Sequence, residues 1–208
     1  TDIVNGCTFD NNLPCIAEKE IVAVDSIADE LLHYMVSEQG CYMISKEEQD
    51  ALTEVVLKGG RLNRKCVGRD AKTLLGMIGI TVPDNIRCIT FEGPKEHPLI
   101  AEELMMPILG VVRAKDFDDA VEQAVWLEHG NRHSAHIHSK NVDNITKYAK
   151  AIDTAILVKN GPSYAALGFG GEGYCTFTIA SRTGEGLTSA STFTKRRRCV
   201  MTDSLCIR

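Results

Sequence analysis

Residues 8–24 read TFDNNLPCIAEKEIVAV, and they join a cysteine that directly follows a proline to a short apolar run. The apolar residues 21–24 predict a buried β-strand, because a continuous run of this length suits a strand that is covered on both faces. Cys15 lies in the preceding turn, between polar residues on one side and apolar residues on the other. We therefore expect a strained turn that directs the Cys15 side chain into a cleft.

Cys15 is a candidate nucleophile, but the residue types alone do not decide its role. The thiolate is the reactive form, and a free cysteine has a pKa near ~8.5. A reactive Cys15 would need backbone N–H groups, a helix N-terminus or a histidine to stabilise its anion. A purely structural role is the alternative, because cysteine is among the residue types most often found buried.

Strand and helix signals alternate outward from this stretch. This alternation predicts an α/β fold with a largely parallel central sheet flanked by helices. A glycine-rich region follows from residue 161, and a C-terminal β tail is expected after it. The predicted strands are 21–24, 87–91, 108–113, 134–139, 155–158, 174–179 and 197–202. Three predicted helices begin at the N-caps Ser26, Ser45 (in the capping box Ser45–Glu48) and Asp70. Two more helices are predicted over residues 116–128 and 141–152.

Composition limits the class of protein. A chain of 208 residues can form one sizeable core and at most two domains. Its hydrophobic content of 44% and charged content of 25% are ordinary for a soluble globular protein. The net charge of −5 argues against nucleic acid or an anionic membrane as a partner. The 8 cysteines include no Cys-x-x-Cys pair, so we expect reduced thiols, no structural zinc and a cytoplasmic location.

Four histidines, at positions 129, 133, 136 and 138, are a second candidate for chemistry. A zinc site is one interpretation of this cluster, but the sequence has no His-Glu-x-x-His motif and no cysteine or carboxylate at ligand spacing nearby. We therefore expect no metal. A histidine is also well suited to acid–base work near neutral pH, whereas its alternative role is to cap a strand end.

Several segments resemble one enzyme family, in the same order along the chain. The segment FDNNLPCIAEKE (9–20) is similar to the nucleophile segment of the coenzyme-A-acylating aldehyde dehydrogenases of ethanolamine and propanediol utilisation. Residues 102–109 (EELMMPIL) resemble the family's Glu-x-x-x-Pro segment, and residues 128–135 (EHGNRHSA) resemble its His-Gly-x-x-His segment. Residues 161–173 and 183–188 resemble its C-terminal loops.

The resemblance implies roles for three residues. Cys15 would be the nucleophile, and His133 the acid–base residue. Glu103 would hydrogen-bond the ribose next to the nicotinamide of NAD, although Met105 and Met106 stand where the broader family has Phe-Gly. The alternative for Glu103 is a surface acid.

The resemblance also implies a reaction and partners. A short-chain aldehyde, acetaldehyde or propionaldehyde, would be oxidised to acyl-CoA with NAD+ through a thioester on Cys15, with coenzyme A as co-substrate. Residues 1–195 would form the catalytic domain and residues 196–208 a tail that joins subunits into a homo-oligomer. The upstream NAD-binding domain would be absent from this chain, which we expect to be inactive alone. The location would be the cytoplasm or the interior of a bacterial microcompartment, with its shell as a further partner.

Two other classes of function remain open. One is a cysteine hydrolase or acyltransferase that uses Cys15 and His133 without a dinucleotide. The other is a non-catalytic assembly module in which the C-terminal tail is the interface.

Overall fold

The computed structural model describes residues 1–171, 175–178, 188–200 and 202. Strands and helices alternate through this part of the chain, as the sequence predicts. The strands are β1 (Glu20–Val24), β2 (Cys41–Met43), β3 (Cys88–Glu92), β4 (Ile108–Ala114), β5 (Ser134–Ile137) and β6 (Ile156–Lys159). The helices are α1 (Asp2–Thr8), α2 (Asp25–Glu38), α3 (Lys46–Val56), α4 (Ala71–Met77), α5 (Pro98–Ala101), α6 (Phe117–Leu127) and α7 (Val142–Ile152).

All the strand pairs are parallel in the described part of the chain. Four strands form one sheet in the order β1-β4-β3-β2, and β5 pairs with β6 in a second sheet. Glu20 lies opposite Gly110 in the first sheet, and Ser134 lies opposite Ile156 in the second. The predicted α/β fold with a largely parallel sheet is confirmed, and the space between β1 and β5 becomes important for the site.

The core sits around the two central strands, β3 and β4, whose side chains are nearly all buried. Gly110 of β4 allows α5 to pack closely on the sheet. A Cβ atom at Gly110 would lie 2.3 Å from Cγ1 of Ile100, so no larger residue fits there without movement. The largest fully buried side chains include Phe91, Leu52, Leu74, Leu75, Ile89, Leu99, Ile108 and Leu109.

Helix starts follow the predicted caps in two of three cases. Ser45 and Glu48 form a complete capping box before α3, and Asp70 accepts a hydrogen bond of 2.7 Å from the N–H of Thr73 before α4. The predicted cap at Ser26 is wrong. The N-cap of α2 is Val24 and no side chain caps that helix, because β1 passes directly into it.

The predicted C-terminal strands are not found among the described residues. Residues 175–178, 197–200 and 202 are not in strands, and the other residues of those two predicted strands lie outside the described part of the chain. A strand is stable only when it pairs and buries a face. Phe177 is 71% exposed and Val200 is 76% exposed, so these apolar side chains have no core to cover.

Candidate active site

The turn before Cys15 has an unusual backbone. Asp10, Asn11 and Asn12 have φ angles of 48°, 50° and 65°, so three consecutive residues adopt the left-handed region. Most residues with a Cβ avoid this region, but Asp and Asn visit it more readily than others. The strained turn that the sequence predicts is therefore present, and the order Asp-Asn-Asn is what makes it possible.

The two asparagine side chains anchor the turn. Asn11 Nδ2 donates to the carbonyl of Gly68 at 3.1 Å. Asn12 is buried, and its Nδ2 donates to the carbonyl of Cys7 at 3.0 Å and to the carbonyl of Glu18 at 2.8 Å. The segment that contains Cys15 is thus fixed on both sides. The sequence does not predict this function of the asparagines, because their partners are backbone carbonyls that the fold brings close.

Cys15 itself is exposed to solvent. Partial burial of the thiol raises its pKa above the ordinary value, its own backbone N–H lowers it, and the nearby Glu103 carboxylate raises it further. A reactive thiolate can be stabilised by backbone N–H groups, a helix N-terminus or a histidine. Of these, a backbone N–H lowers the pKa of Cys15 here. Cys15 therefore rests as a thiol at neutral pH and needs a proton acceptor to react.

One cleft of ≈ 970 Å³ brings the three predicted residues together: Cys15, Glu103 and His133 all line it. Its walls include β1, an edge strand of the first sheet, and β5 of the second sheet. These two strands do not pair with each other. Side chains from α6 and α7 complete the lining. An exposed thiol, a carboxylate and an imidazole in one concave site are the types of group that acyl chemistry uses.

His133 stands immediately before β5 and is held by its neighbours. Its backbone N–H donates to Oε1 of Glu128 at 3.1 Å, and its ring Nδ1 lies 3.1 Å from Oγ of Ser134. The loop before it contains His129 and Arg132 in the left-handed region, with φ angles of 56° and 53°. Glu128 is a further residue that the sequence analysis missed, and it positions the backbone from which the His133 ring projects.

Glu103 lies in an exposed segment after α5, and that segment is joined to the cysteine turn through Gly68. The Gly68 N–H donates to the carbonyl of Met105 at 2.9 Å, while the Gly68 carbonyl accepts from Asn11. Met105 has a φ angle of 55°, so its departure from the broader family pattern coincides with a left-handed residue. One peptide loop therefore fixes the Cys15 turn and the Glu103 segment relative to each other.

Three buried polar atoms of the same cleft have no hydrogen-bond partner among the described residues: Oε2 of Glu18, Oε2 of Glu20 and Nε2 of His136. Burial raises the pKa of Glu18 to about 7 and also raises the pKa of Glu20. Burial, followed by the charge of His138, lowers the pKa of His136 to about 4. The sequence predicts none of these shifts, because they come from tertiary burial.

The resemblance assigns Glu103 to a nicotinamide ribose, and Glu103 lines the same cleft as Cys15. A pyrophosphate is normally held by a glycine-rich turn between a strand and a helix N-terminus. Gly168 and Gly170 instead follow a 3₁₀ helix, Ser163–Leu167. Within the described ranges, no group of three or more His, Cys, Asp or Glu side chains is placed to hold a metal ion. No helix there is both long and apolar enough to cross a membrane.

Comparison with known proteins identifies the family. Residues 85–194 match the Aldehyde dehydrogenase family. The chain belongs to this family. This aldehyde dehydrogenase chain is 46% identical over 208 residues to the acetaldehyde dehydrogenase (acetylating) EutE of Salmonella typhimurium, covering 97% of the chain and 44% of the relative. It is 45% identical to the propanal dehydrogenase (CoA-propanoylating) of the same organism, covering 100% of the chain and 45% of the relative.

Solved structures give the same result. A propionaldehyde dehydrogenase from the Clostridium phytofermentans fucose utilisation bacterial microcompartment superimposes with a TM-score of 0.93 at 82% identity, covering 100% of this chain and 48% of that one. The Rhodopseudomonas palustris propionaldehyde dehydrogenase with bound propionyl-CoA has a TM-score of 0.92 at 56% identity, covering 96% of this chain and 44% of that one. The resemblance to acylating aldehyde dehydrogenases is confirmed. The chain spans less than half the length of these relatives.

Proposed function

We propose that this chain is the catalytic domain of a CoA-acylating aldehyde dehydrogenase that converts a short-chain aldehyde, acetaldehyde or propionaldehyde, into acyl-CoA with NAD+. The observation that carries the proposal is the single cleft lined by Cys15, Glu103 and His133. We assign the attack on the carbonyl carbon to the exposed thiol, because the thiolate of a cysteine is intrinsically very nucleophilic.

The solved relatives support the assignment of the two central residues. The Rhodopseudomonas palustris enzyme was also solved with bound CoA and an acylated cysteine. The Clostridium phytofermentans enzyme was solved in one variant with a cysteine changed to alanine and in another with a histidine changed to alanine. Those two altered positions are separated by the same number of residues as Cys15 and His133 are in this chain.

In the proposed reaction, Sγ of Cys15 forms a bond to the aldehyde carbon while the thiol proton leaves to a base. The Cys15 backbone N–H is a candidate donor to the oxyanion of the resulting thiohemiacetal. Loss of a hydride turns this adduct into a thioester on Cys15, and NAD+, when bound, supplies the hydride acceptor. The thiol of coenzyme A then attacks the thioester carbon, and the C–S bond to Cys15 breaks.

His133 is the proposed base, and its contact with Ser134 bears on the tautomer. If Nδ1–H donates to Oγ of Ser134, the ring is fixed and Nε2 keeps a free lone pair for a proton. Because the pKa of Cys15 is raised, its deprotonation depends on such a base. Glu103 would hold the nicotinamide ribose through its carboxylate.

The domain and partner assignments belong to the same proposal. Residues 1–195 form the catalytic domain, and residues 196–208 are the tail that contacts a neighbouring subunit in a homo-oligomer. The chain acts in the cytoplasm or inside a bacterial microcompartment, in contact with its shell. The Clostridium phytofermentans relative, which comes from such a compartment, supports this location.

Acylation without a dinucleotide tests the proposal on the chain itself. Cys15 should attack p-nitrophenyl propionate, so that the acyl C–O bond breaks, p-nitrophenolate leaves and a propionyl group stays on sulfur. Intact-protein and peptide mass spectrometry should place the propionyl group on Cys15, and coenzyme A should then remove it as propionyl-CoA. Cys15→Ala is the matched control and should release no burst of p-nitrophenolate.

Two results would contradict the proposal. Acylation of another cysteine with Cys15 unmodified would remove the nucleophile assignment. Steady hydrolysis of the ester at the same rate with and without coenzyme A would indicate a cysteine hydrolase instead.

A further inference from the structure

Glu18 is a buried acid three residues after Cys15, on the wall of the same cleft. It is only 5% exposed, and it forms no ion pair with the residues that the structure describes, which is unusual for a glutamate. The reaction proposed above gives it no role. Its burial therefore needs a reason in what its side chain contacts.

The side chain connects two distant parts of the sequence. Oε1 of Glu18 accepts a hydrogen bond of 2.9 Å from the backbone N–H of Ser163. Ser163 is itself buried, at 2% exposure, and it opens the 3₁₀ helix Ser163–Leu167 that follows β6. This contact joins the cysteine segment to the loop beyond the second sheet.

The carboxyl group is also held from the side of α1. A Cβ atom added at Gly6 would lie 2.0 Å from Oε2 of Glu18, so the backbone of α1 packs directly on the carboxyl group. The backbone of Glu18 is fixed separately, because its carbonyl accepts from Nδ2 of Asn12. Asn12 and Glu18 therefore hold the two ends of the short segment whose middle carries Cys15.

The second carboxyl oxygen, Oε2, is buried and has no hydrogen-bond partner in the described part of the chain. This arrangement favours a protonated carboxyl group. Burial raises the pKa of Glu18 to about 7, hydrogen bonds from Ser163 oppose the shift, and the Asp2 charge on α1 adds to it. A neutral group that still accepts one hydrogen bond can perform a positioning function without a negative charge.

We infer that Glu18 is a positioning residue for Cys15: its buried carboxyl group ties the cysteine turn to the Ser163 loop and so keeps the thiol directed into the cleft. The inference rests on the proposed role of Cys15 as nucleophile. The function of Glu18 is geometric, so a neutral side chain that keeps the acceptor oxygen should replace it.

The test compares Glu18→Ala and Glu18→Gln in the acylation of Cys15 by p-nitrophenyl propionate. Glu18→Ala should slow acylation on the order of 10-fold, since small displacements of a reacting group are costly. Glu18→Gln should stay within about 2-fold of the wild type, because its amide oxygen can still accept from Ser163. Glu20→Gln is the matched control, since it makes the same substitution at a second acid of this cleft, whose Oε2 lies 3.6 Å from Nζ of Lys19, and it should behave like the wild type.

A second variant keeps the test decisive if Glu18→Ala fails to fold. Ser163→Pro removes the N–H donor from the other side of the contact. Proline is tolerated at the first position of a helix, and Pro162 already has the extended ψ of 156° that a following proline requires. This variant should slow acylation to the same extent as Glu18→Ala.

Wild-type rates in Glu18→Ala or Ser163→Pro would overturn the inference, as would an equal loss in Glu18→Gln and Glu18→Ala. If the wild type itself is not acylated, the proposed function fails first. The inference is then decided by iodoacetamide labelling of Cys15. The inference is upheld if the labelling rate of Glu18→Ala differs at least about 3-fold from that of the wild type and Glu18→Gln restores the wild-type rate. Equal labelling rates in Glu18→Ala and the wild type would contradict it.

Discussion

At the scale of single residues, the site combines an unfavourable backbone conformation before Cys15 with a raised pKa of the Cys15 thiol. Three left-handed residues precede Cys15, and the thiol is then placed beside the carboxylate of Glu103. A raised thiol pKa suppresses unwanted reactions of an exposed cysteine and makes its chemistry dependent on a base. A single substitution can remove the effect of the Glu103 charge on the pKa of Cys15.

Glu103→Gln should therefore make Cys15 more reactive. The substitution removes a negative charge that raises the pKa of the thiol, so more thiolate is present at pH 7.5. Because both groups are exposed and screened by solvent, we expect an increase of roughly 3-fold in the rate of iodoacetamide labelling at Cys15. Peptide mapping measures the rate, and Glu102→Gln is the control. An unchanged or lower rate in Glu103→Gln would contradict the electrostatic account.

Glu18→Gln should become more stable relative to the wild type as pH rises from about 4.5 to about 7. The pKa of Glu18 is about 7 in the folded chain and has an ordinary value of 4.5, so in this range the folded state holds a proton that the unfolded state has released. The wild type thus loses stability as pH rises, whereas the glutamine variant has no such proton. The difference should grow by roughly 2–3 kcal/mol, at about 1.4 kcal/mol per unit. Urea unfolding at pH 5, 6 and 7 measures it, and a constant difference would mean that Glu18 is not held neutral.

At the scale of elements, the sequence predicts what is periodic and misses what is short. The strands at β1, β3, β4, β5 and β6 and the helices α2, α3, α4, α6 and α7 follow apolar patterns and caps, and all of them are present. The helices α1 and α5 and the strand β2 were missed, because 7, 4 and 3 residues carry little periodicity. The C-terminal strands were predicted at 174–179 and 197–202, but their described residues are not in strands, and a strand requires a partner with which to pair.

The candidate site shows the same division. Cys15, Glu103 and His133 were named from the family resemblance, and all three line one cleft. The supporting residues Asn12, Gly68 and Glu128 could not be predicted, because each acts through a contact with backbone that the fold brings close. The shifted pKa of His136 likewise follows from burial, which no local pattern reveals.

Gly110→Ala is the sharpest test of packing between elements. The added methyl group would enter the space of Ile100 on α5, and overpacking of this kind costs typically 1–3 kcal/mol. Gly76→Ala in α4 is the matched control, because a Cβ there meets nothing within 4 Å and should stabilise the helix by roughly 0.5–1 kcal/mol. Chemical unfolding of both variants should give changes of opposite sign. Equal stability of the two would show that α5 does not pack tightly on β4.

At the scale of the whole molecule, the groups that line the cleft are suited to acyl transfer, whereas the full proposed reaction also requires a bound dinucleotide. The Cys15 thiol, the His133 imidazole and the carboxyl groups of Glu18 and Glu20 face one space of ≈ 970 Å³. A nicotinamide must lie within roughly 3–3.5 Å of the reacting carbon for hydride transfer. In the proposed function, covalent capture of an acyl group uses Cys15 and His133, whereas redox turnover also needs a dinucleotide held in place.

The last prediction separates these two abilities: the 208-residue chain should acylate at Cys15 but should bind NAD+ poorly and produce no NADH. Glu103 offers one hydrogen bond to a ribose, worth about 0.5–1.5 kcal/mol net, whereas micromolar binding requires roughly 8 kcal/mol. The glycines at 168 and 170 do not form a phosphate-binding turn, since they follow a 3₁₀ helix. Calorimetric titration with NAD+ and an absorbance assay with propionaldehyde and coenzyme A measure the two quantities. A full-length acylating aldehyde dehydrogenase serves as the positive control. Micromolar NAD+ binding, or NADH formation by this chain alone, would show that its residues hold the cofactor after all.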